Sequence, residues 1–97
     1  MKTIILDTNI LMAIAQFKID IFGELERLCD FNYDISIASG TVAELEKIAQ
    51  HGKHKAAARF ALQIIKRKDI NEIKTETYVD DALVELSKQG YLIATVD

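Results

Sequence analysis

The chain has 97 residues, of which 49% are hydrophobic and 28% charged, and its formal net charge is -3. This composition is typical of one small globular domain and excludes an intrinsically disordered chain. No apolar run approaches the roughly 18 residues of a membrane span, and the single cysteine, Cys29, fits a reducing cytosol. We therefore expect a cytoplasmic protein that makes no membrane contact.

The first part of the chain predicts two helices between two short strands. Residues 3–6 form an isoleucine-rich apolar run of the kind found in buried parallel strands, and residues 9–17 carry apolar side chains at helical spacing. Asp20 is the expected N-cap of a second amphipathic helix. Residues 35–38 are the next predicted strand.

Two more helices are expected after the second strand. Thr41 is the expected start of the first, which ends near Gly52. Residues 57–65 repeat apolar side chains at helical spacing and predict the other. The middle of the chain is therefore predicted to be helical, with one turn.

The last part of the chain predicts strand, helix and strand. Residues 72–75 are a weak strand candidate, a helix is expected from Asp80 to a C-terminal Gly90, and residues 91–95 form the final strand. Strands that are separated by helices run parallel and are joined by right-handed crossovers. The order β-α-α-β-α-α-β-α-β therefore predicts an α/β fold, a three-layer α/β/α sandwich around a parallel sheet.

An acidic residue comes at or soon after the carboxyl end of each predicted strand. In chain order these acids are Asp7, Glu44 in the first turn of its helix, the pair Asp80 and Asp81, and Asp97. The carboxyl ends of parallel strands meet at one edge of a sheet, so we expect these carboxylates to lie close together. They would repel one another unless a cation lay between them, and oxygen ligands without a His/Cys cluster favour Mg²⁺ or Mn²⁺. Such ions suit phosphodiester hydrolysis.

Each acid also has a purely structural interpretation. Asp7 and Asp80 have the residue type and position of helix N-caps. Thr41 and Glu44 have the spacing of a capping box, in which the glutamate only satisfies a backbone N–H. Asp97 could be simply solvated. For any single acid both interpretations stay open at this point.

Four short motifs follow one another along the whole chain. They are ILDTNIL at residues 5–11, VAEL at 42–45, DDAL at 80–83 and ATVD at 94–97. With these motifs the chain resembles the PIN domain (PilT N-terminus) nucleases, in particular small archaeal members related to ribosomal-RNA-processing PIN proteins. The resemblance implies a metal-dependent endoribonuclease that cuts single-stranded RNA, on a parallel sheet of strand order 3-2-1-4-5.

The resemblance also assigns roles to the acids. Asp7 and Asp97 would bind Mg²⁺ or Mn²⁺ directly, and Glu44 and Asp80 would complete an acidic quartet. Asp81 is the alternative to Asp80. All four positions would act together on one scissile phosphate.

Hydroxyl and amide groups beside the acids would orient the carboxylates by hydrogen bonding. By resemblance these residues are Thr8, Asn9 and Thr95. The resemblance further implies a homodimer or higher oligomer. It implies an antitoxin partner for a toxin-type role, or a ribosome-assembly partner for a role in ribosomal-RNA processing.

The family pattern continues beyond the fourth motif into another helix and a fifth strand, whereas the sequence ends at Asp97. We therefore expect residues 1–97 to be a C-terminally incomplete PIN-like domain with strand order 3-2-1-4. The fourth strand would then be an edge that can pair with another chain. A catalytically inactive PIN-like module that binds RNA or protein is the alternative function.

Positive charge is concentrated in residues 47–68, which hold seven of the twelve Lys and Arg residues. Lys53, Lys55 and Arg59 are the candidate contacts to RNA phosphates. The alternative is an ordinary solvated helix face. Phe60 fits the apolar stripe of its helix and is expected in the core.

Overall fold

The computed structural model describes residues 2–75, 84 and 86–94. In chain order the elements are β1 (Lys2–Leu6), α1 (Thr8–Phe17), α2 (Ile21–Leu28), β2 (Tyr33–Ala38), α3 (Ser39–Ile48), α4 (Lys55–Arg67), β3 (Asn71–Ile73) and β4 (Leu92–Ala94). Residues 84 and 86–88 are also helical. Within this described part of the chain, no helix is both long and apolar enough to cross a membrane.

The four strands form one sheet of order β3-β2-β1-β4, and each neighbouring pair is parallel. This confirms the α/β class and the strand order 3-2-1-4. Both faces of the central strand are covered: Ile4 and Leu6 belong to the main hydrophobic cluster, and Ile5 between them is fully buried on the opposite face. Covered faces on both sides are what a three-layer sandwich requires.

The main hydrophobic cluster joins β1 and β2 to three helices. Leu11 of α1, Leu45 of α3 and Ala58 of α4 are all fully buried in it. Alanines at the buried positions of α4 allow this helix to approach α1 and α3 closely. Most of the described residues of the candidate functional site lie on or next to these three helices.

The first two helices begin where the sequence predicts. Asp7 caps α1, and Asp20 caps α2 by accepting a hydrogen bond from the Gly23 N–H at 3.1 Å. The predicted closure at Gly90 is also observed, because Gly90 has a φ of 97° and its N–H bonds to the Ser87 carbonyl. The expected start of that helix at Asp80 lies outside the described residues.

The prediction for α3 was wrong at its start. The helix begins at Ser39 and not at Thr41, so Thr41 lies inside it, fully buried and not a cap. The start is held instead by Thr75, whose backbone N–H donates to Ser39 Oγ at 2.8 Å and whose Oγ1 accepts from the Gly40 N–H at 3.4 Å. Thr75, which lies 36 positions from Ser39 in sequence, thus makes the hydrogen bonds at the helix start that a local capping box was expected to make.

Two further predictions differ from the structure. The third strand covers Asn71–Ile73 in place of 72–75, since Thr75 is engaged at the start of α3. Phe60 was expected in the core but is 48% exposed, because α4 turns its alanines inward. Phe60 is therefore a surface aromatic residue.

We predict that Thr41→Val leaves the free energy of unfolding unchanged or raises it by about 1 kcal/mol. The Thr41 hydroxyl is buried without a hydrogen-bond partner among the described residues, and such burial costs about 1–3 kcal/mol. Urea denaturation monitored by circular dichroism measures the change.

The matched control is Ser39→Ala, which removes a hydroxyl that does have partners. It should lower the free energy of unfolding by about 1 kcal/mol. If Thr41→Val were clearly destabilising, its hydroxyl would have to hold a buried water.

Candidate functional site

Asp7 lies at the junction of β1 and α1. Its backbone is extended, its Oδ1 accepts a hydrogen bond from the Ile10 N–H at 2.8 Å, and its side chain is largely buried. Its own backbone N–H donates to the Ala94 carbonyl of β4 at 3.2 Å. The N-cap interpretation of Asp7 is therefore confirmed. Capping and ligand binding are compatible, because a carboxylate has two oxygens and about four acceptor sites.

The two residues after Asp7 present different groups to the site. Thr8 is buried, with 6% exposure, and its hydroxyl has no hydrogen-bond partner among the described residues. Asn9 is exposed. A buried hydroxyl without a partner is costly, so a water or ligand atom beside Thr8 would stabilise it.

Glu44 is half-buried and lies in the second turn of α3, not in the first as expected from sequence. Since Thr41 is not the N-cap, the capping-box interpretation of Glu44 is wrong. Helix α3 starts directly after β2, which pairs with β1, and Glu44 faces the same groove as Thr8 and Asn9. The structure thus places the second predicted acid in one groove with the two residues that follow Asp7.

A groove of about 460 Å³ runs along α1 between α3 and the start of α4. It is lined by Thr8, Asn9, Met12, Ala13, Gln16, Phe17, Glu44, Ile48 and His54. The Gln16 Nε2 and His54 Nδ1 atoms are 3.0 Å apart and hydrogen-bonded, which joins the wall formed by α1 to the wall formed by α4. Most of the other side chains that line the groove are apolar, namely Met12, Ala13, Phe17 and Ile48.

Thr8 and Asn9 were predicted site residues, whereas the other groove-lining side chains of α1 and the imidazole of His54 were not. The α1 residues Asn9, Met12, Gln16 and their neighbours follow i, i+3, i+4, i+7 spacing, so one helix face was recognisable from the sequence. His54 is 38 positions from Gln16, and no local pattern indicates that they meet.

The basic residues do not form one continuous surface. Lys53 and Lys55 are exposed and are the sequence neighbours of His54, which lines the groove. Arg59 donates its Nε–H to the Ala49 carbonyl at 3.1 Å, which secures the turn after α3. Lys68, at the other end of α4, lies over the Phe22 ring at 5.0 Å from its centroid.

A second cavity of about 330 Å³ lies at that other end of α4, beside the amino end of β2. Its lining includes Tyr33. Desolvation, with the nearby charges of Cys29 and Glu26, raises the pKa of the Tyr33 phenol above its usual range. This shift concerns the end of β2 away from α3 and does not involve Asp7 or Glu44.

Part of the predicted site lies outside the described residues, namely Asp80, its alternative Asp81, Thr95 and Asp97. Within residues 2–75, 84 and 86–94, no three His, Cys, Asp or Glu side chains are close enough together to hold a metal ion. Of the predicted acids, the described structure therefore contains the pair Asp7 and Glu44.

Residues 4–97 match the family described as PIN like domain. The chain is 34% identical to Ribonuclease VapC9 from Archaeoglobus fulgidus over 97 aligned residues, which cover 96% of this chain and 68% of that relative. Sequence similarity thus extends over the region that contains all four motifs.

Two solved structures are similar in fold and sequence. One is the PIN domain endonuclease Utp24, with a TM-score of 0.78 and 32% identity over 98% of this chain and 71% of that one. The other is VapBC2 from Rickettsia felis bound to a DNA fragment from their promoter, with a TM-score of 0.57 and 26% identity over 95% and 71% of the two chains.

We predict that Asp7→Asn keeps the free energy of unfolding close to that of the wild type, whereas Asp7→Ala lowers it by about 0.5–2 kcal/mol. Asparagine caps helices about as well as aspartate, and alanine cannot accept the Ile10 N–H bond. Urea unfolding curves of the two variants measure the difference.

Asp30→Ala is the control, because Asp30 is exposed before β2 and caps no helix. It should change the unfolding free energy little. A loss as large in Asp7→Asn as in Asp7→Ala would show that the negative charge, and not the cap, stabilises this junction.

Proposed function

The chain belongs to the PIN-like domain family, and we propose that it is a metal-dependent endoribonuclease that hydrolyses phosphodiester bonds of single-stranded RNA. The similarity to proteins named as a ribonuclease and as a PIN domain endonuclease supports this function. The observation that carries it is that Asp7 caps α1 at the end of β1, while the two residues after it, Thr8 and Asn9, line a groove together with Glu44.

The residues at the start of α1 fit a divalent cation. Asp7 and Glu44 offer hard carboxylate oxygens, and the Thr8 hydroxyl, which has no hydrogen-bond partner among the described residues, can bond to a water in the coordination shell. In our proposal Asp7 and Asp97 hold Mg²⁺ or Mn²⁺, and Glu44 and Asp80 complete the acidic set. The bound cation would lower the pKa of a water and neutralise charge on the scissile phosphate.

The protein's own part in the reaction is positioning. The N-cap hydrogen bond fixes the Asp7 carboxylate against α1, so its orientation is set before substrate binds. Thr8, Asn9 and Thr95 would orient the acids through hydrogen bonds. Glu44 lies on a separate helix and faces the groove that Thr8 and Asn9 also line, and a change in the packing of α3 on α1 would therefore misplace it.

RNA would be held partly by charge. Lys53 and Lys55 are exposed, adjoin the groove-lining His54 in sequence, and are the proposed contacts to substrate phosphates. Arg59 was predicted for the same role, but its Nε–H is engaged by the Ala49 carbonyl. We propose that Arg59 contributes to RNA binding through its remaining guanidinium N–H groups.

We also propose a protein partner of the antitoxin type and a homodimeric or higher assembly. The similarity to VapBC2 and to Ribonuclease VapC9 favours this over a ribosome-assembly partner. Both partner classes would be compatible with the same RNA-cleaving site.

We predict that the protein cleaves single-stranded RNA in Mn²⁺ and that Asp7→Asn or Glu44→Gln lowers the rate by about 100-fold or more. Loss of a metal-binding carboxylate removes several kcal/mol of transition-state stabilisation, and each 1.4 kcal/mol is a factor of ten. Denaturing gel electrophoresis of an end-labelled RNA measures the rate, and EDTA should abolish it.

Asp30→Asn is the matched control, since it removes the same charge far from the start of α1 and should leave the rate unchanged. Wild-type protein that cuts no faster than Asp7→Asn would refute the nuclease. RNA binding that survives both EDTA and Asp7→Asn, without cleavage, would establish the inactive binding module instead.

A further inference from the structure

We propose that the groove along α1 is a pocket for one unpaired nucleotide next to the scissile phosphate, with Phe17 as the stacking surface for its base. This inference rests on the proposed function and names a binding site for the same substrate. The groove is continuous with the candidate site, because Thr8, Asn9 and Glu44 belong to both. A strand that is cut there must place its neighbouring nucleotide along one of the adjoining surfaces.

Phe17 has the exposure that a stacking residue needs. It is the last residue of α1, it lines the groove, and it is 71% exposed. An aromatic ring exposed to this extent contributes little to the core, and its face is available to a planar ligand. Nucleobases stack on such rings regardless of sequence, because every base has a π-face.

The rest of the groove matches the other parts of a nucleotide. Met12 gives it an apolar floor, while the Gln16 amide and the His54 imidazole form a polar pair, hydrogen-bonded at 3.0 Å, that can bond to a base edge. Its volume of about 460 Å³ is within the range of small-molecule sites. One nucleotide fits this space.

The charges around the groove are those that a nucleic acid strand requires. Lys53 and Lys55 lie on either side of His54, where α4 begins. The N-terminal ends of α1 and α4 both border the groove and add partial positive charge. A phosphate near His54 would therefore meet positive charge, while Glu44, which also lines the groove, would face the proposed metal.

The test measures binding of a short unstructured RNA in the Asp7→Asn background, which prevents cleavage. Phe17→Ala should weaken binding by about 5- to 100-fold, the loss expected for one stacked base, and Phe17→Trp should restore it. Phe60→Ala is the matched control, because Phe60 is also an exposed aromatic residue but does not line the groove. Its affinity should stay within about twofold of the parent.

A second measurement tests whether the Phe17 ring contacts one particular base of the RNA. RNAs with a single abasic nucleotide at successive positions should lose affinity most at one position beside the cleavage site. That loss should disappear in Phe17→Ala, because the ring and the base form one interaction. Circular dichroism of Phe17→Ala checks that the fold is retained.

The possible failures are distinguishable. If wild-type protein cleaves RNA but Phe17→Ala binds normally, or every abasic position costs the same in both proteins, the nucleotide pocket is refuted and the nuclease stands. If Phe17→Ala instead loses a co-purifying protein partner while RNA binding is unchanged, the groove is a protein-docking surface and the pocket is again refuted. A wild-type protein that neither binds nor cuts RNA would refute the proposed function itself.

Discussion

The hydrogen bond from the Ile10 N–H to the Asp7 carboxylate joins the end of the central strand to the start of α1. The backbone N–H of Asp7 bonds in turn to the Ala94 carbonyl, so the same residue connects β1, α1 and β4. Because β1 is the strand with both faces covered, this junction cannot shift without disturbing the core. The carboxylate is therefore held rigidly, which is the condition that a preorganised metal ligand requires.

Much of the fold is accessible from sequence because its determinants are local. Apolar runs predict the strands, and Asp7 and Asp20 each cap the helix that they directly precede. The start of α3 could not be predicted in this way, since it depends on Thr75, far along the chain. Phe60 was misplaced for a related reason: which face of α4 is buried depends on how closely its alanines allow α1 and α3 to approach. Strand order came from the family resemblance, because periodicity does not determine which strands pair.

The candidate site shows the same division between local and tertiary information. The rule that carboxyl ends of parallel strands share one edge predicts that Asp7 and Glu44 lie near each other, and the structure places Glu44 in one groove with Thr8 and Asn9, the residues that follow Asp7. It could not predict the groove, which exists because α4 returns to α1 and is joined to it by the Gln16–His54 hydrogen bond. The basic residues were grouped by their closeness in sequence, whereas α4 separates Lys53 from Lys68 by its full length. Like charges on one helix form a continuous charged surface only when the helix is short or when the charged residues lie on the same face.

The distribution of charge also constrains how RNA can be recognised. A chain with a net charge of -3 has no overall attraction for a polyanion, so affinity must arise locally. Lys53 and Lys55, next to His54 in sequence, are exposed, while the Arg59 Nε–H is engaged by the Ala49 carbonyl. Each contact between a cationic side chain and a phosphate of single-stranded nucleic acid adds a limited, salt-dependent amount to the binding free energy. The carboxylates at the site repel the phosphates and reduce this gain. If the proposed RNA substrate binds here, a substantial share of the affinity would come from uncharged contacts, which the exposed Phe17 ring and the other apolar side chains of the groove are suited to supply. Such contacts would need an unstacked base, which is the physical reason for proposing a single-stranded rather than a duplex substrate.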